Sequence, residues 1–119
     1  MWERLGLSPA QTVLGGFSMG SVMSYALGLG ADRPAPAGIL AFSGFVPVVE
    51  GWEPQLPRPT RVFIAHGRSD PVMEVGFAQR ARRLLEESGM EVEYHEGEHG
   101  HWIEPVQLAE ARAWLERLL

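Results

Sequence analysis

The chain has 119 residues, a formal net charge of −5, 45% hydrophobic residues and 21% charged residues. These values predict one folded domain over residues 1–119 and exclude a disordered or collagen-like chain. The absence of cysteine excludes disulfides, thiolate zinc sites and a cysteine nucleophile. An acidic balance without a basic stripe argues against a nucleic-acid partner. No apolar run approaches the roughly 20 residues of a membrane span, and the first residues lack a signal-peptide pattern, so we expect a cytoplasmic protein.

Short β-rich runs alternate with helical patterns along the chain. The predicted strands are residues 12–17, 38–42, 61–65 and 91–95, and the predicted helices are residues 20–29, 73–88 and a last helix that begins at Pro105. The second and third strands are almost wholly apolar, as in strands covered on both faces, whereas the fourth alternates and suits a sheet edge. Residues 44–59 contain four prolines and are predicted to form a long loop.

This order of elements predicts an α/β fold, in which a parallel sheet of about four strands is flanked by helices. The first helix is expected to be buried. Helical spacing predicts the buried faces of the other two helices. That of the second helix consists of Phe77, Ala81, Leu84, Leu85 and Ser88, and that of the last helix consists of Leu108, Ala111, Leu115 and Leu118, with Trp114 beside it. Ligand sites in such sheets lie at the carboxyl ends of the strands, so the residues directly after each predicted strand are the candidates for chemistry.

A serine follows the first predicted strand within Gly16-Phe17-Ser18-Met19-Gly20, which matches the pattern G-x-S-x-G. Between a strand and a helix, this pattern holds the serine hydroxyl on a sharp turn, and the start of the helix directs backbone N–H groups toward it. Ser18 is therefore the candidate nucleophile, and the Met19 N–H is the candidate oxyanion donor. The alternative is a tight strand-to-helix turn without chemistry.

An acid and a base follow the third and fourth predicted strands. Asp70 is the candidate acid, with a simple turn residue before proline as the alternative. His101 is the candidate base, although it has histidine neighbours and could be a surface-loop residue. Serine, acid and base occur in the order of an α/β-hydrolase triad, in which the histidine takes the serine proton and the acid orients the imidazole.

Four segments in this order resemble those of the carboxylesterase, phospholipase and acyl-protein thioesterase-like family of α/β-hydrolases, and together they extend over nearly the whole chain. They are residues 14–20 (LGGFSMG), 42–47 (FSGFVP), 66–72 (HGRSDPV) and 100–103 (GHWI). The resemblance implies a serine hydrolase that cleaves a small-molecule or lipid ester or thioester through an acyl-enzyme, with no cofactor and no metal. It selects Asp70 as the triad acid and His101 as the base. It also implies a structural role for His66, with its ring hydrogen-bonded near the acid loop.

The chain departs from the family pattern at two positions beside the nucleophile. Met19 replaces the usual Gln, and Ser21 replaces a common Gly. Because Met19 would act through its backbone N–H, the first change is expected to alter the pocket and not the mechanism.

Apolar residues flank the three candidate catalytic positions and are predicted to line an acyl pocket. They are Phe17, Phe45, Val46, Val72 and Trp102. The alternative is that about half of them belong to the ordinary core.

The resemblance implies about four further strands before the first strand of this chain, which then corresponds to the C-terminal half of the family's fold. In the family, a loop after an early strand supplies a second oxyanion donor, and no segment before Gly15 resembles that loop. The first strand would form an exposed sheet edge, through which the chain could form a homo-oligomer or pair with another chain. Two other hypotheses stay open: a metal-binding module built on His95, His99 and His101, and a non-catalytic fragment of a hydrolase fold that serves as an interaction module.

Overall fold

The computed structural model describes residues 13–30, 34–47, 54, 56 and 59–118. Its elements are, in chain order, β1 (Val13–Phe17), α1 (Met19–Leu29), β2 (Gly38–Phe42), β3 (Arg61–Gly67), α2 (Val75–Glu87), β4 (Val92–Gly97) and α3 (Pro105–Leu118). All the predicted strands and helices are present, and β3 and β4 each continue two residues further than predicted. Residue 12 and most of the predicted loop (48–53, 55, 57 and 58) lie outside the described residues.

The four strands form one sheet in the order β1-β2-β3-β4, and each neighbouring pair is parallel. The predicted α/β fold with a parallel sheet is therefore confirmed, as is the position of β4 at an edge. Among the described residues β1 is the other outer strand of the sheet. Pairing of β1 with a second copy or with another chain stays a prediction. Parallel pairing brings the carboxyl ends of all four strands to one edge of the sheet, where Ser18, Asp70 and His101 follow β1, β3 and β4.

Side chains of the central strands alternate between two core clusters because successive residues of a strand point to opposite faces. Ile39 and Val62 belong to the first cluster, which α1 and α2 cover. Phe42 and Phe63 belong to the second cluster, which α3 covers through Ala111 and Trp114. The sheet is thus covered on both faces. No helix within the described ranges is long and apolar enough to cross a membrane.

The predicted burial of α1 is wrong on one face, and the predicted buried face of α2 is wrong at one residue, Leu84, since Ala81 and Leu85 are buried as expected. α1 is covered on one face only, since Met19 and Met23 are 59% and 54% exposed while Tyr25 is buried. On α2, Leu84 is 40% exposed, because the face that packs on the sheet runs through smaller side chains and Leu85.

The prediction for α3 is wrong at Leu108, which is 52% exposed, whereas Ala111 is buried and Leu115 and Leu118 pack on the second core cluster. The buried residues are Gln107, Ala111 and Trp114. The Trp114 ring packs against Phe63 with a centroid distance of 5.9 Å, and burying this large ring sets the rotation of the helix.

Candidate active site

Ser18 occupies the turn between β1 and α1 with φ 58° and ψ −119°, a backbone conformation that residues other than glycine rarely adopt. Its N–H donates to the Phe42 carbonyl at 2.8 Å and so continues the sheet. Its carbonyl accepts hydrogen bonds from the Ser21 N–H (3.0 Å), the Val22 N–H (3.2 Å) and the Ser21 hydroxyl (2.7 Å). Strain of this kind amounts to roughly 1–3 kcal/mol and persists only where surrounding contacts hold the turn.

Close backbone packing around the turn requires glycine at position 16. A Cβ atom at Gly16 would lie 2.8 Å from the Cα of Gly20, closer than real contacts allow. The strand and the helix therefore approach each other directly beside Ser18. The Met19 amide is the first of α1, where backbone N–H groups have no acceptor within the helix.

The His101 imidazole lies between Asp70 and Ser18. Its Nδ1 is 2.6 Å from Asp70 Oδ2, and its Nε2 is 3.0 Å from Ser18 Oγ. A carboxylate can only accept a hydrogen bond, so Nδ1–H donates to Asp70 and Nε2 accepts from the Ser18 hydroxyl. The structure thus brings together three residues that are up to 83 positions apart in the chain.

Asp70 is buried, and both of its carboxylate oxygens accept hydrogen bonds. Oδ1 accepts hydrogen bonds from the Val72 and Met73 amides, each at 2.8 Å, while Oδ2 faces His101. Burial alone would raise the pKa of Asp70, but the Met73 amide, His101 and the Val72 amide outweigh it and lower the pKa below its ordinary value. Through its hydrogen bonds to the Val72 and Met73 amides, Asp70 also forms the turn before and after Pro71, which is the alternative role predicted for it.

The buried side chain of His66 is hydrogen-bonded to the loop that contains Asp70 and Met73. It is fully buried, and its Nε2–H donates to the Met73 carbonyl at 2.5 Å, while the same atom lies 3.8 Å from Asp70 Oδ2. Met73 in turn donates its amide to Asp70. The predicted hydrogen bond of the His66 ring near the acid loop is therefore confirmed.

The histidines proposed as a metal site face three different environments. His95 lies between Glu93 and Glu110, with nitrogen-to-oxygen distances of 2.8 and 2.7 Å. His99 is buried, and neither of its ring nitrogens has a hydrogen-bond partner in the described part of the chain. His101 faces Asp70 and Ser18. Across the described residues no group of three or more acidic or histidine side chains could hold a metal ion.

The predicted pocket residues divide into exposed and packed groups. Val72 and Trp102 are 63% and 53% exposed beside Asp70 and His101. Phe45 packs against Phe77 of α2 at 5.3 Å between ring centroids, and Val46 packs on the first core cluster. Phe17 packs on the second core cluster and against the His101 ring.

Two buried polar residues near the site were not predicted. Ser21 holds the carbonyl of Ser18, as described above, and the signal for it is a serine three residues after a helix N-cap. Gln107 is buried beside the carboxyl end of β3, and its amide lies 3.5 Å from the His66 carbonyl. A lone polar residue in line with Ala111 and Trp114 on α3 is the signal for this second position.

A polar network joins β4 to α2 outside the site. Glu96 accepts hydrogen bonds from the Tyr94 hydroxyl (2.6 Å), Gln79 (2.9 Å) and Arg68 (2.8 Å). The Tyr94 hydrogen bond contributes most to a Glu96 pKa of about 2, against the opposing effect of burial. The network fixes the strand that leads to the His101 loop.

The parallel sheet and its flanking helices define an α/β-hydrolase fold, which solved structures share. One is esterase PE8, with a TM-score of 0.81 and 31% identity over 99% of this chain and 55% of that one. Another is a Bacillus cereus carboxylesterase, with a TM-score of 0.84 and 22% identity over 98% of this chain and 54% of that one.

Residues 2–119 match the phospholipase/carboxylesterase family, and the chain belongs to that family. Acyl-protein thioesterase 1 of Emericella nidulans is 26% identical over 121 residues, which cover 96% of this chain and 50% of that protein. The chain thus spans about half the length of the curated relatives that it matches.

Proposed function

We propose that this chain carries the nucleophile, base and acid of a serine hydrolase that cleaves carboxylic esters or thioesters. The observation that carries the proposal is the His101 ring, hydrogen-bonded at once to Ser18 Oγ and to Asp70 Oδ2. The proteins that this chain resembles are named as an esterase, a carboxylesterase and acyl-protein thioesterases. These names support acyl transfer as the class of reaction.

The first half of the reaction forms an acyl-enzyme. Ser18 Oγ attacks the acyl carbon while its proton passes to His101 Nε2, and Asp70 stabilises the resulting imidazolium. The Met19 N–H donates to the oxyanion of the tetrahedral intermediate. Collapse of that intermediate expels the alcohol or thiol, which takes the proton from His101.

The second half repeats these roles with water. His101 removes a proton from a water molecule that attacks the acyl carbon, and the acid leaves as Ser18 recovers its proton. Small-molecule or lipid esters are the proposed substrates, with Val72 and Trp102 as the exposed apolar contacts for the acyl chain. Phe45 and Val46 would extend this apolar surface. The location of the protein in the cytoplasm stays a prediction.

Covalent labelling of the purified chain tests the proposal. A fluorophosphonate probe is expected to add to Ser18 in the wild type and not in Ser18→Ala, with the modified residue identified by peptide mass spectrometry. Hydrolysis of p-nitrophenyl esters and of a thioester then measures turnover, before and after chelator treatment, which is expected to have no effect. Labelling without turnover would favour the non-catalytic fragment, and no labelling of folded protein would contradict the proposed roles.

A further inference from the structure

We propose that Phe17 is a positioning residue, whose ring holds the imidazole of His101 in its reactive orientation. This inference rests on the proposed function, because it concerns the base of that reaction. The prediction that Phe17 lines the acyl pocket is the alternative, and the experiments below distinguish the two roles.

The two rings are in direct contact. Their centroids are 4.7 Å apart and their planes make an angle of 43°, within the range of favourable aromatic pairs. His101 donates a hydrogen bond from Nδ1–H to Asp70 and accepts one at Nε2 from the Ser18 hydroxyl. Rotation of the imidazole about its side-chain bonds would break both hydrogen bonds, so a packing contact that favours the reactive rotamer helps to keep them. The Phe17 ring provides such a contact.

The fold holds Phe17 firmly enough for this role. It is the last residue of β1 and is paired in register with Phe42 of β2. Its side chain packs on the second core cluster, which includes Phe63 and Trp114. The next residue is Ser18, whose N–H is bonded to the Phe42 carbonyl. Nucleophile and support for the base therefore come from adjacent residues of one strand end, so their relative position depends on a single segment of backbone.

The consequence is a defect in the chemical step and not in substrate binding. Proton transfer between Ser18 Oγ and His101 Nε2 needs both atoms aligned, and a misplacement of about 1 Å can slow an enzyme by up to 10²-fold. In Phe17→Leu, which keeps an apolar side chain but loses the ring, we expect kcat to fall about tenfold and KM to change less than about twofold. Phe17→Tyr keeps the ring and should restore most of the rate.

A matched core variant separates positioning from packing. Leu85 of α2 belongs to the first core cluster, on the opposite face of the sheet from Phe17, and is fully buried. Leu85→Ala should lower the melting temperature at least as much as Phe17→Leu but change kcat less than about twofold. The proposal is overturned if both variants lower kcat equally. It is also overturned if Phe17→Leu keeps kcat but shifts KM and the preferred acyl length over a series of p-nitrophenyl esters, as a pocket wall would.

Nuclear magnetic resonance tests the contact without relying on activity. In the wild type we expect cross-relaxation between the Phe17 and His101 ring protons, and in Phe17→Leu a more mobile His101 ring, with no such change in Leu85→Ala. If the wild type neither labels nor hydrolyses esters, the proposed function fails while this measurement still decides the positioning. An His101 ring that is equally ordered in wild type and Phe17→Leu refutes it.

Discussion

Replacing Asp70 by asparagine separates the two roles of its carboxylate. Oδ1 accepts the Val72 and Met73 amides, and Oδ2 accepts the His101 Nδ1–H. In Asp70→Asn the amide oxygen can keep the first role, while the NH₂ group stands opposite His101 Nδ1 and donates to it. The imidazole must then carry its proton on Nε2, where it can no longer accept the proton of Ser18.

The expected size of the effect follows from these contacts. A wrong tautomer lowers the rate of a serine triad about 10⁴-fold, and we expect labelling of Ser18 by a fluorophosphonate to slow by that order in Asp70→Asn. Its free energy of unfolding should fall less than that of Asp70→Ala, since the amide oxygen keeps both backbone hydrogen bonds although the carboxylate charge is lost. Asp70→Ala loses the same labelling and also the acceptor of two amides. The free energy of unfolding should therefore fall by about 3 kcal/mol or more in this variant.

Labelling rates measured by intact-protein mass spectrometry and unfolding measured in urea test the two halves of this prediction. Rapid labelling of Asp70→Asn, within about tenfold of the wild type, would refute the tautomer reasoning. Equal stability of Asp70→Asn and Asp70→Ala would refute the assignment of the backbone hydrogen bonds to Oδ1.

Three further predictions concern the turn and the network on β4. Ser21→Ala removes one of three hydrogen bonds to the Ser18 carbonyl, so we expect labelling to slow about threefold and unfolding free energy to fall by about 1 kcal/mol. Ser24→Ala loses a similar bond one turn later in α1 and should lose the same stability with unchanged labelling; equal labelling defects would contradict this. Tyr94→Phe should raise the pKa of Glu96 from about 2 toward its ordinary 4.5, as measured by NMR titration, and an unmoved pKa would argue against that hydrogen bond. Because this pKa is lower in the folded than in the unfolded protein, the stabilisation by Glu96 is complete above pH 4.5 and is lost as the pH falls toward 2. Between neutral pH and about pH 3, the free energy of unfolding measured in urea should therefore fall less in Glu96→Gln than in the wild type.

Local sequence patterns were sufficient to predict the strands and helices and the candidate site residues that follow the strands. The apolar runs of β2 and β3 and the proline at the start of α3 are signals within a few neighbouring residues, and the structure agrees with them. The rotation of α3 could not be predicted in this way, because Leu108 and Trp114 are both apolar and periodicity does not rank them. Packing against Phe63 decides which side chain is buried.

Patterns along the chain are enough to predict the alternation of strands and helices, the G-x-S-x-G turn, and the order of serine, acid and base. Which rings are in contact depends on the three-dimensional packing, because those contacts join residues that are distant in sequence. His101 and Ser18 are 83 positions apart and meet only because parallel strands end at one edge of the sheet. The same packing brings the ring of Phe17, a predicted pocket residue, into contact with the ring of His101. A motif specifies the neighbours of a residue along the chain, whereas sheet register and core packing specify its neighbours in space.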